Sequence, residues 1–165
     1  MIIVRFLRSN FVKYLVTCLL ISLPFVVLAD EKTLENCLNM AETQFEMNQC
    51  EQSEFEKADA ELNRIYQKIR KLYADDPVFL QKLRDTQRLW IQFRDAELEM
   101  KFPHSDEPRY YYGSVYPMCF AGYKANLTTE RVATLKQWLE GTEEGDVCAG
   151  SIKRPEDLQP PLHGR

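Results

Sequence analysis

The stretch SEFEKADAELNRIYQKIRKLY, residues 53–73, decides the fold class of this protein. Its apolar side chains recur at intervals of three and four residues, and Glu, Lys and Arg fill most of the remaining positions. The apolar positions are Phe55, Ala58, Leu62, Ile65, Tyr66, Ile69, Leu72 and Tyr73. This period predicts an amphipathic α-helix with one face toward a core. Ser53 followed by Glu56 matches a capping box, so the helix is predicted to begin at Ser53.

The segments on either side of this helix are also predicted to be helical. Residues 31–49 carry apolar side chains at helical spacing and predict a preceding helix. Asp76 as N-cap and Pro77 in the first turn predict a following helix that runs to about Met100. Because a short turn joins the two long helices, they should form an antiparallel hairpin. The predicted fold is therefore all-α, a small helical bundle built on a long antiparallel helical hairpin and stapled by disulfides.

The chain beyond the hairpin is predicted to be less regular. Residues 101–117 contain three prolines and a glycine and have no helical period, which predicts a loop. A short helix is expected over residues 118–125. A final helix should begin after Thr128 or Thr129 as N-cap and end at Gly141. No segment has the pattern of a strand.

The first 29 residues have the composition of a cleaved secretory signal. Residues 1–13 contain three basic side chains and no acid, and residues 14–29 are almost wholly apolar. This run is shorter than the roughly 20 residues that span a bilayer, and it ends at Val27-Leu28-Ala29, a suitable cleavage site. An uncleaved membrane anchor and lipoprotein processing at Cys18 are the alternatives. We expect cleavage near Ala29 and a periplasmic or secreted bacterial protein.

Cleavage would leave a helical domain over residues 30–148 and a tail over residues 149–165. The tail is rich in proline and is predicted to be disordered. The whole chain has 21 basic and 25 acidic residues, and the signal removes three bases, which leaves 18 against 25, a net charge of −7. Such a surface repels nucleic acid and anionic lipid, and it favours a cationic partner or simply keeps the protein soluble.

Four cysteines remain after cleavage, Cys37, Cys50, Cys119 and Cys148. An even number in an exported chain predicts two disulfides, for which three pairings are possible. Cys37–Cys50 and Cys119–Cys148 are favoured because both close short loops. The chain has no CxxC pair and two histidines, so neither a metal site nor a cofactor is expected.

An ordered set of motifs follows Cys37 along the chain. The motifs are Thr43-Gln44-x-x-Met47-Asn48-x-Cys50, Ala58-Asp59-x-x-Leu62-Asn63-x-x-Tyr66, Gln87-Arg88-x-Trp90-Ile91-x-Phe93-Arg94-Asp95 and Thr128-x-x-Arg131. In order and spacing they resemble the lysozyme inhibitor LprI-like domain of bacterial exported proteins, over roughly residues 37–135. The resemblance implies a noncatalytic envelope protein. Family members usually carry a cysteine where Leu98 stands, which puts the family's second disulfide in doubt here.

Polar residues of these motifs could meet between the two long helices. Asp59 and Asn63 share one helical stripe, and Gln87 and Arg94 share another. We interpret the four as a structural network in which Arg94 pairs with Asp59 or Asp95. The functional alternative is a polar binding groove lined by the same side chains.

The predicted loop is the candidate partner-binding segment, with Lys101, His104, Tyr110, Tyr111 and Tyr112 as its candidate contact residues. Tyrosine rings bury a large area at a low cost in entropy. Lysozyme-type muramidases present two carboxylates in their clefts, and His104 or Lys101 could hydrogen-bond to them. The alternative is that the tyrosines pack back onto the helices.

No motif of a known catalytic class is found in the sequence, so the protein is predicted not to be an enzyme. The leading hypothesis is an exported protein that binds and inhibits a lysozyme-type muramidase. The alternative is an envelope interaction or stress-related module whose partner is another protein or a cell-wall component.

Overall fold

The computed structural model of the protein describes residues 33–158. The predicted secretory signal and residues 159–165 lie outside the described residues. The α-helices are α1 (Leu34–Met40), α2 (Gln44–Leu72), α3 (Pro77–Lys101), α4 (Pro108–Tyr112) and α5 (Tyr116–Glu140), with 3₁₀ turns at Gly113–Val115 and Pro155–Leu158. No strand occurs in this described range, which confirms the all-α prediction.

The helix predicted over residues 31–49 is broken in the structure, and α2 begins earlier than expected. Thr43 is the N-cap of α2, because its hydroxyl accepts a hydrogen bond from the Glu46 backbone N–H at 3.2 Å. The Glu46 carboxylate in turn accepts one from the Thr43 N–H at 2.9 Å. This capping box satisfies backbone donors at a helix start. The predicted start at Ser53 was wrong, since Ser53 lies inside α2.

The C-terminal half is more continuous than predicted. A single helix, α5, replaces the two helices expected over residues 118–125 and 129–140. Thr128 is fully buried inside it, and its hydroxyl donates to the carbonyl of Lys124 at 2.8 Å. A threonine hydroxyl can bond to the preceding turn of the same helix as well as cap a new one. Gly141 ends α5 with φ 84°, as predicted.

Helices α2 and α5 run parallel and make the most extensive helix contact in the described part of the chain. Lys124 Nζ lies 4.4 Å from the ring centroid of Phe55 near one end, and Tyr73 donates a hydrogen bond to the Trp138 carbonyl at the other. The buried side chains along the middle of α5 include the small Ala121, Ala125 and Thr128. We attribute the close approach of α2 to these small residues.

Helix α3 runs antiparallel to α5, and therefore also to α2. Tyr123 donates a hydrogen bond to Glu97, and Arg131 donates one to Gln87 further along the pair. The predicted antiparallel sense of α2 and α3 is confirmed. The structure adds that the main partner of α2 is α5, which sequence periodicity did not indicate. The buried core cluster joins side chains of all three helices, namely Leu62, Ile65, Ile69, Tyr73, Leu83, Val132 and Leu135.

The segment after α5 folds back onto the bundle. The backbone N–H of Lys153 donates to the Tyr73 hydroxyl at 3.0 Å. The ammonium of Lys153 donates to the Leu72 carbonyl and to Asp75, both at 2.9 Å. Leu158 packs against the core cluster. The prediction of a disordered tail was therefore wrong for residues 149–158, because one lysine binds free groups at the C-terminal end of α2.

One of the two predicted disulfides is formed. Cys37 and Cys50 are bonded and join α1 to α2. The predicted Cys119–Cys148 bond is not formed, and both are exposed free cysteines. Cys119 lies in the first turn of α5, about 30 Å along the helix from its end at a rise of 1.5 Å per residue. Cys148 lies after the other end of α5, in a loop closed by the hydrogen bond from Thr142 N to Lys153 O. The distance between Cys119 and Cys148 is therefore far greater than a disulfide can bridge.

Candidate functional site

Aromatic side chains gather at the end of the bundle where α3 finishes and α5 begins. We call this group the aromatic lobe, and its members are Phe102, His104, Tyr110, Tyr111, Tyr112 and Tyr116. Pro108 begins the short α4, and Gly113 ends it with φ 71°. The predicted loop over residues 101–117 is thus partly helical, and this helix brings three consecutive tyrosines into the lobe.

The inner part of the lobe is packed against the bundle. Phe102 is buried and meets Tyr112 and Tyr116 edge to face, with ring centroids 5.5 and 5.4 Å apart. Tyr112 and Tyr116 are stacked at 5.5 Å. The backbone N–H of His104 donates to the Tyr112 hydroxyl at 3.1 Å. Tyr112 therefore packs back onto the helices, as the alternative interpretation of the tyrosines predicted.

The outer part of the lobe faces solvent. Tyr110 is 82% exposed and Tyr111 is 48% exposed. His104 stacks on Tyr111 with centroids 4.0 Å apart, and Tyr110 meets Tyr111 edge to face at 5.0 Å. Since the rings support one another, they lose little conformational freedom when a partner covers them. The outer rings form an ordered apolar surface.

Phe45 lies beside Tyr116, one of the inner rings of the lobe, and was not identified as a site residue from the sequence. It lies in the first turn of α2 and is 67% exposed. Together with Pro108 and Tyr116 it lines a groove of about 380 Å³ beside the aromatic lobe. Recognition of Thr43 and Glu46 as the capping box would have placed Phe45 at this end of the bundle.

Lys101 does not project from the lobe as expected. Its ammonium lies 3.8 Å from the ring centroid of Tyr123 on α5, in a cation–π contact. It is therefore engaged by the bundle, and His104 is the candidate polar contact that remains in the lobe. Tyr123 also donates a hydrogen bond to Glu97, and burial, followed by that bond, raises the pKa of Tyr123.

The four polar residues predicted to form one network are divided among separate local contacts. Asn63 donates to both the backbone and the carboxylate of Asp59 within α2. Arg94 pairs with Asp95, one of its two predicted partners, at 2.8 Å. Gln87 accepts a hydrogen bond from Arg131 on α5. Within residues 33–158 no hydrogen bond joins the α2 pair to the α3 residues. We attribute this separation to the close packing of α5 against α2.

A polar groove does exist beside Arg94, although the other three residues do not line it. It has a volume of about 410 Å³, and its lining includes Arg94, Tyr116 and Lys124. Burial lowers the pKa of Lys124, and the nearby Arg94 lowers it further. Its lining combines the cations Arg94 and Lys124 with the carboxylates of Asp95 and Glu99.

Residues 33–158 contain no group of three or more His, Cys, Asp or Glu side chains placed to hold a metal ion. Within the same range, every helix is too short or too polar to cross a membrane.

Fold and surface define a disulfide-stapled, all-helical protein with an exposed aromatic lobe and no recognised catalytic motif. The family model described as "Lysozyme inhibitor LprI" matches residues 35–135. The chain belongs to this family. It is also similar to the "Uncharacterized protein R02472" of Rhizobium meliloti (strain 1021), with 33% identity over 114 residues, which cover 62% of this chain and 78% of that protein. No solved structure matches the chain.

Proposed function

We propose that this protein acts after export as a noncatalytic inhibitor of lysozyme-type muramidases. The observation that carries the proposal is the family match over residues 35–135, which includes α2, α3 and most of α5. The predicted secretory signal supports a periplasmic or secreted site of action. N-terminal sequencing of the exported protein should begin at Asp30.

The outer aromatic lobe is the proposed contact surface. Tyr110, Tyr111 and His104 offer ordered rings at one end of a rigid bundle, and exposed aromatic clusters of this kind commonly anchor protein interfaces. The imidazole of His104 can donate a hydrogen bond to a carboxylate such as those in a muramidase cleft. The exposed Phe45 adds apolar area at the same end of the bundle, where it shares a groove with Pro108 and Tyr116.

Charge supports the choice of a cationic partner. The whole chain carries a net charge of −4, and removal of the three basic residues of the predicted signal makes it −7. Long-range attraction between opposite net charges raises the association rate and is screened by salt. Inhibition should therefore weaken as the salt concentration rises.

Inhibition is tested with the oxidised, exported protein against lysozymes of several types, by the rate at which they clear bacterial cell walls. We expect saturable inhibition at micromolar protein. If a micromolar excess of the protein inhibits none of these enzymes, and the protein instead retains a non-lysozyme protein from periplasm, its function is that of an envelope interaction module.

Tyr110→Ala and Tyr111→Ala test the contact surface separately from the function. Each should raise the inhibition constant about tenfold or more while the helical content stays unchanged. Phe93→Ala is the matched control, because Phe93 is also an exposed aromatic residue but lies mid-way along α3. If Phe93→Ala abolished inhibition while both tyrosine variants still inhibited fully, the contact surface would lie on α3 instead.

A further inference from the structure

Helix α3 carries an apolar stripe on the face that points away from the bundle. Leu89, Phe93 and Met100 are 65, 56 and 69% exposed, and Ala96 is exposed between the last two. At 3.6 residues per turn these four side chains lie within about 60° of the helix circumference and span about 17 Å. Single exposed apolar residues are normal, but a contiguous apolar surface points to an interaction site. We call the four residues the outer stripe.

The opposite face of α3 provides its contacts with the bundle. Leu83 and Leu98 are buried on that face, and Gln87 accepts a hydrogen bond from the buried Arg131 of α5. None of the outer stripe residues belongs to the buried core cluster or packs against it within residues 33–158. The packing of this chain on itself therefore does not account for the outer stripe.

Two charged residues beside the outer stripe indicate what covers it. Arg88 and Glu99 are both exposed, and they lie on the same flank of the stripe because 11 residues make about three full turns. Neither residue makes an ion pair in the part of the chain that the structure describes. One flank thus carries an unpaired cation near the N-terminal end of the stripe and an unpaired anion near its C-terminal end.

The outer stripe is complementary to a second, antiparallel copy of itself. A two-fold axis that crosses the stripe midway between Phe93 and Ala96 places the Phe93 ring of each copy opposite the small Ala96 of the other. The same axis places Leu89 opposite Met100. Large side chains then meet small or flexible ones, which is the arrangement that lets two helices pack closely.

This axis also brings the unpaired charges together. Arg88 of one copy comes to lie on the same flank as Glu99 of the second copy, and the two differ in level by about two residues, or about 3 Å along the helix direction. This offset is short compared with the reach of the two side chains, and the symmetry forms the pair twice. The charges are therefore self-complementary in the antiparallel arrangement.

We propose that the outer stripe is the contact surface of a reversible homodimer, in which two copies of α3 pack antiparallel and Arg88 of each copy pairs with Glu99 of the other. A cationic enzyme fits this surface less well, because Arg88 would repel it. The contact covers about three helical turns, at the small end of protein interfaces, so the dissociation constant should be on the order of 10–100 µM. The proposal does not rest on muramidase inhibition.

Sedimentation equilibrium of the oxidised, exported protein tests for the dimer. The exposed thiols of Cys119 and Cys148 are alkylated first, so that no disulfide can join two copies. We expect the average mass to rise from monomer toward dimer between about 1 and about 500 µM. Leu89→Glu places a carboxylate in the outer stripe and should keep the protein monomeric over that range. Val147→Glu, at an exposed valine after α5, is the matched control and should dimerise like the unchanged protein.

Charge reversal tests how the two copies are arranged. Arg88→Glu and Glu99→Arg should each weaken the dimer about tenfold or more, because each places like charges opposite one another. The double variant restores opposite charges and should return the dissociation constant to within about threefold of the original. Lys68→Glu, at an exposed lysine of α2, makes the same change in net charge as Arg88→Glu and should have little effect.

Circular dichroism verifies that each variant is folded, which is expected because every substituted side chain is exposed. The proposal is overturned by a protein that stays monomeric over the whole range, by a dimer that persists in Leu89→Glu, or by a double charge reversal that does not restore the dimer.

Discussion

Arg131 donates a hydrogen bond from Nε to Oε1 of Gln87 over 3.1 Å and so joins the middle of α5 to α3. Gln87 is half-buried, and its amide oxygen accepts the side-chain hydrogen bond that Arg131 donates within residues 33–158. The pair unites two of the motifs by which the family was recognised. A side chain that accepts a hydrogen bond from a buried cation stabilises the fold mainly because a buried cation without a partner would lower the free energy of unfolding.

The two halves of this pair should respond unequally to substitution. Gln87→Leu should lower the free energy of unfolding by about 1–3 kcal/mol, because it removes the acceptor of the buried Arg131 Nε–H. Arg131→Leu should cost less, since it removes the buried charge together with its requirement for a partner. Urea denaturation measures both. A larger loss in Arg131→Leu than in Gln87→Leu would contradict this account.

Tyr73 should control the order of the C-terminal segment. Its hydroxyl accepts from Lys153 N and donates to the Trp138 carbonyl, so Tyr73→Phe removes two bonds without altering the ring. We expect a loss of about 1 kcal/mol per bond and faster hydrogen exchange at the Lys153 amide. Tyr66→Phe, at a half-buried tyrosine of α2, is the control and should leave that exchange rate unchanged. Equal exchange in both variants would show that the segment is held by other contacts.

The position of the α2 N-terminus can be decided by two alanine substitutions. Thr43→Ala should lower the free energy of unfolding by about 1 kcal/mol, the usual cost of losing an N-cap. Ser53→Ala should have little effect, because Ser53 lies inside the helix at an exposed position. Thermal or urea unfolding measures both. The reverse order of effects would restore the helix start expected from the sequence.

The cysteines should divide into one structural pair and two free thiols. Replacement of Cys37 and Cys50 by serine should cost about 3 kcal/mol in the chain-entropy model, because their bond closes a loop with a sequence separation of 13. Replacement of Cys119 and Cys148 should leave stability nearly unchanged, since both are exposed. A thiol reagent should titrate these two cysteines in the unreduced mature protein. A product without reactive thiols would contradict the structure.

Glu51 should make stability depend on pH in the sense opposite to that of most carboxylates. Burial, followed by the charge of Glu54, raises the pKa of Glu51, whose carboxylate lies against Gly122 on α5. The folded state therefore holds the proton more tightly than the unfolded state, and this contribution to stability is lost as pH rises through the raised pKa.

Substitution by glutamine tests this dependence. Glu51→Gln should increase stability at neutral pH and remove that part of the pH dependence. Glu56→Gln, at an exposed position of the same helix, should change neither. Unfolding curves across the acidic range measure both effects. An unchanged pH profile in Glu51→Gln would contradict the assigned cause.

The sequence determined those features that depend on neighbouring residues. The apolar period of residues 53–73, the start of α3 at Asp76 and Pro77, and the end of α5 at Gly141 were all predicted. The Cys37–Cys50 bond was also favoured correctly, because a short loop keeps its two ends close. The first helix and the start of α2 were misplaced. Thr43 and Ser53 each stand three residues before a glutamate, so both match a capping box in the sequence. The folded chain shows that Thr43 is the N-cap.

Only the tertiary structure decided which helices touch and what their polar residues face. The choice of α5 as the main partner of α2 depends on small side chains that let two backbones approach, and sequence periodicity does not identify the helix on the other side. Because α5 packs against α2, the residues of the predicted polar network make separate contacts. Because α5 is one long helix, Cys119 and Cys148 lie near its opposite ends. The packing of α5 against α3 also placed Arg131 on Gln87. Contacts between residues distant in the chain depend on the packing of the whole bundle, so local sequence signals could not supply them.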